Sequence, residues 1–112
     1  MTTPSKSFFF VYAPDMTDPG ALERRLAVRS KHFEDAGPRF DKGLIRIAGA
    51  QLDENTPELE GGQKNMVGSI FICEATSIEE IREIITTDIY YTSGVWDKEK
   101  LVIRPFLSAR PF

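Results

Sequence analysis

Runs of apolar and polar residues change period along the chain, and the changes predict strand, helix, strand, strand, helix, strand. Phe8 to Ala13 (FFFVYA) is an aromatic and β-branched run stopped by Pro14 and Asp15. Lacking clean alternation, it reads as a central strand covered on both faces. Residues 18–37 switch to the helical period, with Asp18 as cap, Pro19 at the first position and Gly37-Pro38 as the stop. Ser30 leaves open a split into two shorter pieces. Leu44 to Gln51 and Val67 to Ala75 are strand-like, and Ser77-x-x-Glu80 is a capping box for a helix burying Ile78, Ile81 and Ile85. Asp88 caps a further turn closed by Gly94, and Leu101 to Ile103 is the last strand before Pro105. The order matches a ferredoxin-like βαββαβ sandwich of the α+β class, with an antiparallel four-stranded sheet and helices on one face. The other face is left bare, and eight Phe, three Tyr and one Trp suggest that a second copy covers it, as a homodimer.

The first helix carries the most informative pattern. At about 100° per residue, Leu22, Leu26 and Phe33 share one side and read as its core stripe. Glu23, Arg24, Ala27, Ser30, Lys31, Glu34 and Asp35 form the solvated side. Arg25, Arg29 and His32 lie on a line between that stripe and Val28, flanked by apolar side chains. Charge in such a place needs carboxylates, a wet cavity or an anionic ligand. Histidine is the residue type suited to proton transfer near neutral pH, and His32 is the only one here. Asp88, at the start of a short turn, is the candidate carboxylate to hold one ring nitrogen while the other faces a substrate. Arg25 and Arg29 suit a small carboxylate or enolate, or else tie the helix to the sheet through acidic residues. Tyr12, Asp15, Ser69 and Tyr90 complete the candidate pocket. Ser69 has no G-x-S-x-G elbow that would make it a nucleophile.

Composition narrows the class. The chain has 112 residues, read as one domain (1–112, core about 8–106), long enough for a core without metals or disulfides. A net charge of −3 without a Lys/Arg cluster argues against nucleic acid. The lone Cys73 excludes an internal disulfide and C-x-x-C chemistry, and one histidine with one cysteine makes a transition-metal site improbable. No residue calls for a cofactor. No apolar stretch suits a membrane span, and Met1 to Ser7 lacks a signal-peptide pattern, so the expected compartment is the cytosol. Met1 to Lys6 is expected to be loose. The hydrophilic stretch 53–65 is expected to be a mobile lid or pocket rim. Gly49, between Ala48 and Ala50, implies close approach of a neighbouring element or a ligand, and Gly68-Ser69 can bring backbone N–H groups to one.

Taken together, FFFVYAPD, LERRLAVRSKHFEDAG, GLIRIAGA, GSIFICEATSIEEIREIITTDIYYTSGVW and KEKLVIRPF resemble the YciI-like (YCII-related) domain family over about residues 8–106. RLAVRSKH and D-x-Y followed by GV are the most specific pieces. The resemblance implies a ferredoxin-like domain pairing sheet to sheet, related to the dimeric α+β barrel proteins. It also implies a histidine–aspartate pair in a cleft, here His32 and Asp88, with Arg25 and Arg29 near them. Some members are similar to dehydrochlorinases of chlorinated hydroxyquinols, and the wider superfamily includes muconolactone-type isomerases. Ile89 and Ser30 stand where the family usually has proline, which reshapes the rim but keeps both polar side chains.

These readings converge on a small lyase or isomerase moving a proton on a cyclic oxygenated or carboxylated substrate. The rival is a noncatalytic dimeric module that binds a small anionic ligand or a protein partner. A purely structural role for the arginines is the third.

Overall fold

Phe9, Val11 and Ala13 are buried along β1 (Ser7–Pro14), and Phe8, Phe10 and Tyr12 point the other way. The two faces of this strand therefore differ. In the computed structural model, which describes residues 5–112, β1 is a central strand but one of its faces is open. It pairs antiparallel with β3 (Met66–Ala75) on one side and β4 (Val102–Phe106) on the other. β2 (Ile45–Leu52) pairs antiparallel with β3, which gives the order β2-β3-β1-β4. That is the ferredoxin-like order. The sheet is open, with β2 and β4 as separate edges, so the implied kinship with closed barrels is corrected here. The looseness expected at the start of the chain concerns, for residues 1–4, positions outside the described residues.

The covered face carries Phe9, Val11, Ala13, Phe71, Cys73 and Ala75, packed with Ile81 and Ile85 of α2 (Ile78–Thr86). Ser77 caps α2 by accepting from the Glu80 N–H at 3.3 Å. Burial pushes the Cys73 thiol up to about 12, which makes it an inert core residue. β4 runs on through Pro105, where an edge strand tolerates the missing donor.

The first helix, α1 (Ala21–Asp41), is one continuous element, undivided at Ser30. It begins after Gly20, because Asp18 spends its carboxylate on the Gly20 N–H and on Arg24 at 2.7 Å. It also runs through Gly37 and Pro38. Pro38 lacks one N–H, but its carbonyl still accepts from Lys42, and the exit comes at Gly43, with φ +77°.

The inward face of α1 is not the predicted one. Ala21, Arg25, His32 and Ala36 are buried, whereas Leu26 and Phe33 are exposed, Phe33 at 54%. Arg25 and His32 turn inward because the buried carboxylates of Asp15 and Asp88 await them, while Arg29 stays exposed. Stretch 53–65 is no rim: it extends the β2–β3 hairpin, pinned by Asp53 N–H to Asn65 O at 3.0 Å and Asn65 N–H to Pro57 O at 2.9 Å. None of its residues lines the cavity described next.

Candidate active site

Between α1 and the β2–β3 half of the sheet lies a cavity of about 230 Å³, bounded by Arg29, His32, Phe33, Ser69, Phe71 and Tyr90 among others. Small residues of β2, Ala48, Gly49 and Ala50, leave the room for it. No neighbour lies within 4 Å of a Cβ added at Gly49, so no protein element forces that glycine. A cavity of about 150 Å³ can take benzene, so this one fits a single substituted ring.

His32 projects from α1 onto the start of α3 (Ile89–Thr92), the one-turn helix that Asp88 caps. Its Nδ1 lies 3.0 Å from Asp88 Oδ1, and the same oxygen accepts from the Tyr90 N–H at 2.8 Å. A carboxylate only accepts, so in the neutral imidazole Nδ1 carries the proton and Nε2 the lone pair. Nε2 has no hydrogen-bond partner among the described residues and is not sealed from solvent, and His32 lines the cavity. The imidazole stacks on Tyr90, with centroids 4.0 Å apart, and meets Phe71 and Trp96 edge-on. Four contacts thus fix the ring.

The two arginines part company. Arg25, 3% exposed, donates through Nη1 to Asp15 Oδ1 at 2.9 Å and Oδ2 at 3.1 Å, and through Nη2 to Ser69 Oγ at 2.8 Å. Its guanidinium lies 4.5 Å from the Tyr90 ring centroid. Asp15 sits behind Arg25 rather than on the cavity wall, and burial raises its carboxyl above the ordinary value despite the opposing pull of Arg25. Arg29 lies over Phe33 at 4.8 Å, lines the cavity and makes no ion pair among the described residues. Its side chain is exposed to solvent. Burial likewise raises the Tyr90 phenol, against the pull of Arg25 and Arg29, so Tyr90 stays a neutral wall of the cavity.

Of the residues proposed from sequence, the structure gathers His32, Asp88, Arg25, Arg29, Ser69 and Tyr90 at this cavity or directly behind its wall. Tyr12 is a correction: it lies on the opposite face of the sheet, 42% exposed, opposite Ile70 and Val102. Strand parity decides this, since Ala13 takes the inward position. Gly68 serves packing rather than a ligand, because a Cβ there would meet Ala13 O at 2.9 Å. Sequence reading missed Trp96 as a site element; its Nε1–H donates to Ser69 Oγ at 3.2 Å. Phe33, expected in the core stripe, and Phe40 also line the cavity. A more open depression of about 380 Å³ beyond Asp15 holds no histidine, and its two carboxylates are engaged by Arg25 and Arg24.

Comparison with known proteins places the chain. A model of the YCII-related domain matches residues 8–106. The chain is 40% identical over 91% of its length to an aspartate kinase of Fusarium oxysporum f. sp. lycopersici, of which it spans only 18%. It is 38% identical over 89% of its length to fusaric acid biosynthesis protein 2 of Gibberella fujikuroi, of which it spans 92%. Among solved structures, 5-chloro-2-hydroxyhydroquinone dehydrochlorinase of Burkholderia phenoliruptrix, in complex with 2,5-dihydroxybenzoquinone, matches with a TM-score of 0.72. The match covers 89% of this chain and 93% of that one at 24% identity, a likeness of fold.

Proposed function

The chain belongs to the YCII-related domain family, and from that premise we propose that it is a small-molecule lyase or isomerase using His32 and Asp88 for proton transfer. The observation that carries this reading is the 3.0 Å Nδ1–Asp88 contact, which leaves Nε2 as a base facing a cavity sized for one ring. His32 Nε2 takes a proton from the substrate, and the electron pair left behind forms a new double bond. In a lyase a leaving group departs with its own pair; in an isomerase the proton returns at another carbon. Asp88 fixes the tautomer and stabilises the imidazolium, and Arg29 holds negative charge on the substrate. A cyclic oxygenated or carboxylated compound fits this polarity, and the fold neighbour's substrate, a chlorinated hydroxyquinol, is the first to try. The uncovered sheet face, with Tyr12, Ile47 and Ile70 more than 40% exposed, supports a homodimer joined there.

The test is a panel of chlorinated hydroxyquinols and unsaturated lactones in deuterated water, followed by chloride release and by deuterium incorporation. Turnover should fall about 10²- to 10⁴-fold in His32→Asn with the circular dichroism spectrum unchanged. Turnover that survives the substitution removes His32 as the base, whereas ligand binding without turnover in the wild type sinks the enzyme reading in favour of a binding module.

A further inference from the structure

Ser69 presents an unusual hydrogen-bonding count. A hydroxyl has two acceptor lone pairs and one donor hydrogen. Ser69 Oγ accepts from Arg25 Nη2 at 2.8 Å and from Trp96 Nε1 at 3.2 Å, so both lone pairs are engaged. No acceptor for its own O–H exists among the described residues, although the side chain is 2% exposed. Ser69 lines the cavity, which is the direction left for that hydrogen. The backbone beneath it is fixed: Gln51 Nε2 donates to Ser69 O at 2.8 Å, and Gly68 is pressed against Ala13 O. A hydroxyl that accepts from a guanidinium is polarised, and its donated bond gains strength.

We propose that Ser69 is an oxyanion donor: its hydroxyl hydrogen-bonds an enolate or phenolate oxygen of the substrate, with Asp15, Arg25 and Trp96 holding it in that orientation. This rests on reading the cavity as the reaction site, and it specifies the substrate as a ring whose oxygen carries negative charge near the transition state. Arg25 is then a positioning residue that acts through Ser69. The serine is a donor and never a nucleophile, since no base accepts its proton.

The probe is 4-nitrophenolate, with nitrobenzene as its neutral counterpart, titrated into the full chain by calorimetry and absorbance. Wild type should prefer the phenolate, and Ser69→Ala should lower phenolate affinity about tenfold or more while changing nitrobenzene affinity less than about twofold. Ser69→Ala leaves two buried donors without an acceptor, so a wild-type crystal structure with the probe is the safeguard against misfolding. There the phenolate oxygen should lie about 2.5 to 2.8 Å from Ser69 Oγ. An oxygen held by Arg29 or His32 alone, an unchanged affinity ratio, or no binding of the phenolate overturns the proposal. Because the readout is equilibrium binding, His32-dependent turnover with no Ser69 contact removes this inference alone. Ser69-dependent binding without turnover removes only the enzyme reading.

Discussion

Arg25 holds Asp15 and Ser69 through its two terminal nitrogens, while its Nε–H is buried without a partner. An ion pair this deep gains little over apolar packing, but breaking it strands a charge. Arg25→Met should therefore lower stability by about 3–5 kcal/mol in chemical denaturation. The pH dependence follows from Asp15. Its folded carboxyl already titrates above the ordinary 3.8, so the folded state binds more protons there and stability falls as pH rises through that window. Without Arg25 both of the arginine's lowering contributions vanish, the carboxyl rises further, and the decline extends to higher pH. Adding Asp15→Asn should flatten the slope. A slope unchanged by either substitution would show that Asp15 is not the titrating group.

The helix–sheet pairing is where sequence reading succeeded and failed together. Element order, the Ser77 and Asp88 caps and the grouping of Arg25, Arg29 and His32 on one line were legible, because they follow from local periodicity and capping chemistry. Which side of α1 faced inward was not: a helical wheel groups residues but does not say which group finds partners across the fold. Leu22, Leu26 and Phe33 looked like the core only because Asp15, Ser69 and Asp88 lay elsewhere in the sequence. Tyr12 failed for a related reason, since a strand with aromatics on both parities does not reveal which face is covered. The helix end was misread because Gly37-Pro38 carries the stronger stop signal, yet Gly43 adopts the positive φ. These two glycines predict opposite effects. Gly37→Ala, mid-helix with nothing within 4 Å of the new Cβ, should stabilise by about 0.5–1 kcal/mol. Gly43→Ala should destabilise by about 1–2 kcal/mol through its φ of +77°. Thermal melts of both variants decide the point, and equal shifts in the same direction would refute it.

At the scale of the molecule, one sheet face builds the core and the site, and the other carries an apolar surface of Phe10, Tyr12, Ile47, Ile70 and Ile72. The site lies wholly on the helix side, so assembly and chemistry are separable. Sedimentation equilibrium should give a dimer for the wild type, and Ile70→Lys, on the strand next to β1, should shift it to monomer without altering the cavity. A wild-type monomer at micromolar concentration would contradict the proposed pairing. Among the described residues no helix is long and apolar enough to cross a membrane.

The proposed mechanism depends on which nitrogen of one imidazole carries the proton, and a chain with a single histidine lets that be read directly. Long-range ¹H–¹⁵N correlation on ¹⁵N-labelled protein, at a pH where the ring is neutral, distinguishes the tautomers. The 3.0 Å bond to Asp88 predicts a protonated Nδ1 and a bare, pyridine-like Nε2, with the pattern lost in Asp88→Ala. A protonated Nε2 in the wild type would place a donor where the mechanism requires a base, and His32 could not take a proton from anything in the cavity.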